Sequence, residues 1–590
     1  MNLKKLNLND ALLQLGDEIL TNIIGKDRVK TLSKLTNKPI NSLMIVELLN
    51  KRLGNQIFSD QFLRGNIIYS LKDEYKSYVF YGEKDKAVSE ENLKKIINAS
   101  WDRRFNYYKR LVEIFDLDET YLPEIPFQRE STKIVETYHD SNLDDLGFWE
   151  NIFFKIKHFF YVIKKFFFKS VDTEKKKNLF DFQHRVKKKI LKSIKNNKKR
   201  MIVHMPTGSG KTRTTISSLI ELMVSSNDFT SIWLAHTDEL CEQAIETIEN
   251  LWKIEGKGKL KITRLDKNFN LELEDGYNFV VSTYQKLSSM RTGSERNVNF
   301  LERMRRKLNL IISDEAHMLP AETFNNSINF LDNIDGTFII GLSATPGRGV
   351  NENQNRMLAD FFGQYKISIT DENDKELIDP IKYLQDRNIL AKIKAFSIAT
   401  NFNFELSDEQ KLNILNNFQI NDLIIKKMEK DEERNLCIIS HLIDLVGRGK
   451  SIIVFACSLE HSKLLNEICI LLNINCASID DKTSFNSRKK FIEDFKNKKI
   501  NVIFNYGVLS TGFDAPNTNT VMIVRPTASP IMYSQMLGRG LRGPEVNGNE
   551  ECWLIDLKDN LKGLPDERNC FTMYNEYYNS TENYNLNGNI

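Results

Sequence analysis

Apolar residues recur at two different periods along this chain, and the change of period near residue 179 divides it. Upstream, stretches such as SEENLKKIINASWDRRFNYYKRLVEIF carry helical spacing, with Ser89 placed to cap and Glu90 and Glu91 in the first turn. Residues 1–146 are therefore expected to form a mainly helical accessory domain. From 147 to 171 (GFWENIFFKIKHFFYVIKKFFFKSV) a broad apolar band forms at 100° per residue from Trp149, Ile152, Phe153, Ile156, Phe159, Phe160, Ile163, Phe166 and Phe167. Lys157, His158, Lys164, Lys165 and Lys169 lie opposite, and Phe154, Tyr161 and Phe168 make a second row within that basic face. Lysines interrupt the run, so it does not read as a membrane span. It reads as a connector helix spanning, with its linker, 147–178; an interfacial or partner-docking helix is the alternative.

Downstream, short runs rich in Ile and Val (MIVHM, SIWLAH, FVVST, LNLIIS, TFIIGLS) alternate with amphipathic segments. That alternation suits parallel strands covered by helices on both faces. A second series begins near Lys450 (SIIVFAC, CASID, NVIFNYG, TVMIVRP, CWLIDL), and 403–446 reads as helices leading into it. Two tandem α/β units are expected, at 179–400 and 401–560, followed by a tail at 561–590.

Composition narrows this picture only a little. A chain of 590 residues accommodates about three or four domains. The net charge of +4 names no polyanionic partner by itself. Residues 175–200 hold roughly a dozen Lys and Arg against the single acid Asp181, which reads as a solvated helix face or as a surface that tracks phosphates. The seven cysteines are scattered, with no C-x-x-C pair, which fits a reducing compartment. With no signal-peptide core and no apolar run of membrane length, a cytoplasmic location is expected. Asp60 with Glu74-Tyr75-Lys76 loosely resembles a nuclease pattern, but its helical setting reads as surface charge.

The chemistry concentrates at two places. Met205-Pro206-Thr207-Gly208-Ser209-Gly210-Lys211-Thr212 lies between a strand and a helix, the context that a phosphate-binding loop requires. Its glycines admit backbone N–H groups to phosphate oxygens at a helix N-terminus; Lys211 would supply charge to the β- and γ-phosphates and Thr212 a hydroxyl to Mg²⁺. The strict pattern has glycine where Met205 stands. About 100 residues on, Asp314-Glu315-Ala316-His317 follows LNLIIS, placing one acid to hold Mg²⁺ and the next to deprotonate an attacking water. ATP and Mg²⁺ are the cofactors this implies.

In this order the sequence resembles superfamily 2 helicases of the DEAH type over about residues 180–560. The resemblance implies two RecA-like domains. It assigns Gln183, in Phe182-Gln183, to adenine; Thr237, in Ala235-His236-Thr237-Asp238-Glu239-Leu240, to the nucleic-acid strand; and Thr283 and Gln285, in Ser282-Thr283-Tyr284-Gln285, to the same strand. Ser343 and Thr345, in Ser343-Ala344-Thr345-Pro346, together with His317, would couple ATP state to domain movement. In the second unit, Ile453-Val454-Phe455-Ala456 resembles motif IV. Leu509-Ser510-Thr511-Gly512-Phe513-Asp514 resembles motif V, implying ATP contacts from Gly512 and Asp514 and a strand contact from Thr511. Gln535-Met536-Leu537-Gly538-Arg539-Gly540-Leu541-Arg542 matches motif VI. Its Gln535 belongs to the coupling set. Its Arg539 and Arg542, three apart and so expected on one helix face, would neutralise charge on the γ-phosphate.

NYGVLSTGFDAPNTNTVMIVRPTASPIMYSQMLGRGLRG, followed by WLIDLKDNL, resembles the branch of RadD-type repair helicases and restriction-enzyme motor subunits. That branch implies a DNA helicase or double-strand translocase in DNA repair or anti-phage defence, with duplex, forked or single-stranded DNA as partner. The C-terminal zinc module frequent in RadD-like proteins is absent from this sequence. Two alternatives stand beside it: an ATP-gated sensor or clamp that signals to a protein partner through residues 1–170, and an RNA helicase, against which Gln535 weighs.

Overall fold

The computed structural model describes residues 4–117, 132–137, 179–265, 273–332, 337–345, 352–402 and 421–558, apart from short interruptions. The amphipathic segment 147–171 and the tail 561–590 lie outside the described residues. The chain divides into two compact units, Glu130–Asp386 with Asp566–Ile590, and Met1–Arg129 with Arg387–Pro565.

The unit from Glu130 is built on an eight-stranded sheet. Its strands are β1 (Thr132–Val135), β2 (Arg200–His204), β3 (Phe229–Ala235), β4 (Leu260–Arg264), β5 (Tyr277–Thr283), β6 (Leu308–Ser313), β7 (Phe338–Ser343) and β8 (Lys366–Ser368). Their order is β1-β4-β5-β3-β6-β7-β2-β8, and every pairing is parallel except β1 with β4. The Ile/Val runs form these strands because both faces are covered: Ile202, Val203, Ile232, Trp233, Leu234, Val280, Val281, Ile311 and Ile339 are fully buried.

The helix Asp181–Lys195 carries much of the basic run, and the structure shows where those cations go. Arg185 donates to Thr370 O and Tyr383 Oη, and Lys187 pairs with Glu221 and donates to Ser217 Oγ. Lys189 lies 3.8 Å from Asp374, and Arg200 pairs with Asp332. Lys198 and Lys199 sit over the rings of Tyr365 and Phe338. These six cations bind the flanks of the sheet to one another, while Lys188 and Lys195 remain exposed.

In the other unit, residues 4–117 form the expected helical region: Leu8–Leu13, Gly16–Ile24, Lys26–Thr36, Ser42–Leu53, Gln61–Ser70, Asp73–Tyr81, Glu90–Ile97 and Phe105–Ile114. Polar caps start several of them. Asn41 accepts from Met44 N, and Ser89 accepts from Asn92 N as its sequence position suggests. Asp60 also serves as a cap, accepting from Leu63 N, and Lys76 pairs with Asp73, so the loose nuclease pattern is occupied by local helix chemistry.

The second sheet contains β9 (Lys392–Ala399), β10 (Ile452–Phe455), β11 (Cys476–Ile479), β12 (Val502–Asn505), β13 (Thr520–Ile523) and β14 (Glu551–Lys558). Its order is β11-β12-β10-β13-β14-β9, all parallel. Strand β9, whose residues fall before the expected boundary at 400, pairs with β14 over its whole length and so belongs to this sheet.

The helical region packs on this second sheet's outer helix, Leu459–Leu471, and one continuous core contains Leu12, Leu48 and Leu49 together with Leu465, Ile468 and Val502. Glu467 sits inside the contact with its side chain 1% exposed. Arg28 Nε reaches it at 2.7 Å and Arg52 Nη1 at 3.2 Å. Arg28 also donates to Glu460 O, and Lys34 pairs with Glu432 at the margin. A carboxylate so buried is tolerable because both arginines compensate it.

Arg28→Ala is expected to destabilise the full chain by about 3 kcal/mol, read from denaturant unfolding, because it strands a buried charge. An unchanged midpoint would show that Arg52 alone compensates Glu467. A second expectation concerns pH. His461 is buried, with Nδ1 accepting from Cys457 N and Nε2 hydrogen-bonded to Asn435 Oδ1. Burial first, then Arg434 and Arg28, push its pKa from 6.5 down to about 3. The unfolded chain binds this proton below about 6.5 and the folded chain does not until about 3, so its stability contribution, complete above 6.5, is lost as pH falls through that window. The slope of unfolding free energy between pH 6.5 and 4 should flatten in His461→Gln; an identical slope would remove His461 as its source.

Candidate functional site

Strand β2 ends at His204, and the chain turns through Met205–Gly210 into the helix Lys211–Val224. Gly208 and Gly210 take φ of +81° and +85°, a region in which side-chain-bearing residues are strained. Gly210 has a further reason to lack a Cβ, which would lie 2.4 Å from Gln183 Nε2. Gln183 is buried; its amide donates to Ser209 O at 2.8 Å and accepts from Phe180 N at 3.0 Å. The glutamine expected to read adenine is thus tied to the glycine loop itself. Ser209 Oγ donates to Pro206 O, and Lys211 Nζ lies 3.2 Å from Met205 O and 3.5 Å from Pro206 O. Thr207 in this turn and Thr212 at the start of the helix are both half-buried.

Two strands away from β2, β6 delivers Asp314 and Glu315 to the same edge of the sheet. Asp314 is 5% exposed and its backbone N–H donates to Leu234 O at the end of β3. Burial first, and then the charge of Glu315, push the Asp314 carboxyl up to about 7, while Lys211 pulls the other way. Lys211 and Asp314 therefore act on one another across the sheet edge. Glu315 holds a left-handed backbone, φ +50°, and its N–H donates to Asp314 Oδ1. A non-glycine residue in that conformation stores strain, which clusters at functional positions.

The expected coupling residues of this unit converge. His317 Nδ1 is 3.3 Å from Glu315 Oε2 and 3.4 Å from Ser343 Oγ. Ser343 Oγ donates to Thr345 O and accepts from Thr345 N. His204, on β2, meets Ala344 O, and burial holds its pKa well below the ordinary value. Thr237 and Thr283, expected to touch nucleic acid, are N-caps: Thr237 Oγ1 accepts from Leu240 N and Thr283 Oγ1 from Lys286 N. The helices they begin, Asp238–Glu255 and Tyr284–Arg291, follow the paired strands β3 and β5, so two helix N-termini lie side by side at the sheet edge. Gln285 is exposed in the first turn of the second of them. Such an edge of backbone N–H groups favours anions.

In the other unit, Thr511, Gly512 and Asp514 lie outside the described residues. Gln535 is half-buried on the helix Pro530–Leu537. Here the structure corrects one expectation: Arg539 and Arg542 do not share a helix face. The helix ends at Leu537, and Arg539 lies in the following turn. Arg542 forms an antiparallel bridge with Leu390, framed by hydrogen bonds from Ala391 N to Leu541 O and Gly543 N to Ile389 O. The glycines explain the exit. A Cβ on Gly540 would lie 2.3 Å from Cys552 Sγ, and one on Gly543 would lie 2.2 Å from Asn388 O. Only a bare backbone passes so close to β14 and to the residues before β9.

The family described as type III restriction enzyme, res subunit, matches residues 176–348, and that described as helicase conserved C-terminal domain matches 435–543. The chain is similar to the putative ATP-dependent helicase IRC3 of Saccharomyces cerevisiae, 27% identical over 64% of this chain and 51% of that protein. It is similar to a 51.5 kDa protein of a Lactococcus phage, 24% identical over 64% of this chain and 70% of that one. It also resembles the endonuclease subunit of the Escherichia coli type I restriction enzyme EcoAI, 23% identical over 64% of this chain and 46% of that subunit. The chain spans about half the length of IRC3 and of the restriction subunit. Among the described residues, no helix is long and apolar enough to cross a membrane.

Gly210→Ala should destabilise the first sheet's unit by about 1–3 kcal/mol, since the alanine meets both the strained φ and the Gln183 amide. Thermal unfolding measures this. The double variant with Gln183→Ala should recover part of the loss, and no recovery would leave φ as the whole cause.

Proposed function

From membership of the superfamily 2 helicases, to which this chain belongs, we propose that it is an ATP-driven motor on DNA, a helicase or double-strand translocase serving repair or anti-phage defence. One observation carries the reading: a glycine–lysine loop and an acid pair whose Asp314 is buried lie at one edge of a parallel sheet. The restriction subunit among its relatives, and an XPB-R protein named as a DNA repair helicase/translocase (24% identical), favour DNA.

In this reading the loop N–H groups and Lys211 bind the β- and γ-phosphates. Thr212 and Asp314 would hold Mg²⁺. The residues fit that ion in kind: a buried carboxylate repelled by its neighbour gains from a divalent cation, and a threonine hydroxyl is a second hard-oxygen donor. Among the described residues, no cluster of three or more His, Cys, Asp or Glu forms a metal centre, so the remaining ligands would come from phosphate and water. When bound, the cation neutralises charge on the phosphates. Glu315 orients the attacking water and takes its proton, its carboxylate steadied by His317. Through His317, Ser343 and Thr345, a change at Glu315 reaches the end of β7. The resemblance to the helicase motifs would give Arg539 and Arg542 the neutralisation of charge developing on the γ-phosphate, and Gln535 a part in coupling. The resemblance would give Thr237, Thr283 and Gln285, and likewise Thr511, contacts to the strand.

Glu315→Gln should bind ATP with unchanged affinity while turnover falls by about 10³-fold or more, measured in the presence of duplex, forked or single-stranded DNA. Near-normal hydrolysis would remove Glu315 from the base role. Equal ATPase rates with and without DNA or RNA in the unsubstituted chain would overturn the motor reading, and stimulation by RNA alone would favour an RNA helicase.

A further inference from the structure

The strands β5 and β6 are not neighbours, because β3 runs between them. A side chain nevertheless joins their carboxyl ends. Tyr284, the first residue of the helix after β5, is 1% exposed, and its hydroxyl hydrogen-bonds Ser313 Oγ at 2.5 Å. Ser313 is the last residue of β6 and immediately precedes Asp314. The pairings Ala235 with Thr283 and Leu234 with Ser313 place the bridge directly across the end of β3, from which the chain runs on to the cap Thr237. On one side of the link is the capped helix end bearing Thr283; on the other is the aspartate of the acid pair.

The chemistry of the bridge is unusual for its surroundings. Tyr284 belongs to a core that includes Leu287, Leu301 and Ile311, where a phenylalanine ring would fill the same space. Burying a hydroxyl there has a desolvation cost that the hydrogen bond to Ser313 offsets without surplus packing. Burial also pushes the phenol's pKa up, so it stays neutral. What the hydroxyl adds over phenylalanine is a directed tie between two strand ends that share no backbone hydrogen bond.

We propose that the Tyr284–Ser313 hydrogen bond links strand occupancy at the Thr283 helix end to the placement of Asp314, making Tyr284 a positioning residue for nucleic-acid-stimulated ATP hydrolysis. This rests on the motor reading above. A phosphate drawn to the N-terminus of Tyr284–Arg291 pulls on the first turn of that helix, and the tyrosine transmits the pull to the end of β6. The link is separate from the His317–Ser343 contact, which joins β6 to β7 on its other side.

The test is a double-mutant cycle on the full chain: unsubstituted protein, Tyr284→Phe, Ser313→Ala and the pair together, assayed for ATP hydrolysis with and without a single-stranded DNA oligonucleotide. Basal hydrolysis and melting temperature should change little in Tyr284→Phe, while stimulation by DNA falls by about tenfold. The double variant should lose no more than either single one, as expected when both remove one shared interaction. Stimulation of Tyr284→Phe equal to that of the unsubstituted chain overturns the link and leaves the motor reading intact. So do additive losses, or a lower melting temperature with basal and stimulated rates falling in parallel, which mark a structural role only. No stimulation in the unsubstituted chain overturns the motor reading and the link with it.

Discussion

A parallel sheet cannot reverse its chain with a tight turn; each strand must return through a crossover before the next begins. That single constraint organises both sheets of this protein. Every parallel strand of the Glu130–Asp386 unit ends at the same edge, and the helices that follow begin there. The glycine loop after β2, Thr237 after β3, Thr283 after β5, the acid pair after β6 and Ser343 at the end of β7 are separated by tens of residues in sequence. They share one edge because the backbone has no other way to run.

Collecting these groups at one edge concentrates charge where water is scarce. The Asp314 carboxyl cannot be buried beside Glu315 without a rise in its pKa, and Lys211 opposes that rise. The same place stores backbone strain in the left-handed Glu315, while the two positive-φ positions of the loop are glycines and escape it. Around it the polar contacts are short: Gln183 to Ser209, Ser343 to Thr345, Tyr284 to Ser313. The last of these ties one strand end to another.

The helical region solves a different problem. It packs on the helix Leu459–Leu471, shares a core with the second sheet and covers Glu467 with two arginines. A charge sealed into an apolar contact is costly to leave alone, so Arg28 and Arg52 give this interface a defined register as well as area. The expected boundary at residue 400 and the actual place of β9 differ for a related reason. LysIleLysAlaPheSerIleAla at 392–399 is largely exposed, so its pattern lacks the buried run that marks the inner strands.

The local signals of this sequence determined the inner strands, the glycine–lysine loop, the acid pair and the helical character of the first 117 residues. These depend on period, on positive φ at glycine and on capping, all of which act within a few residues. The tertiary structure alone decided four further things: the 439-residue partnership of Arg28 and Glu467, the membership of β9, the departure of Arg542 from the helix before it, and the bridge from Tyr284 to Ser313. Each of these requires two distant surfaces to meet. Periodicity records which face of an element is apolar, and leaves open which other element will cover it.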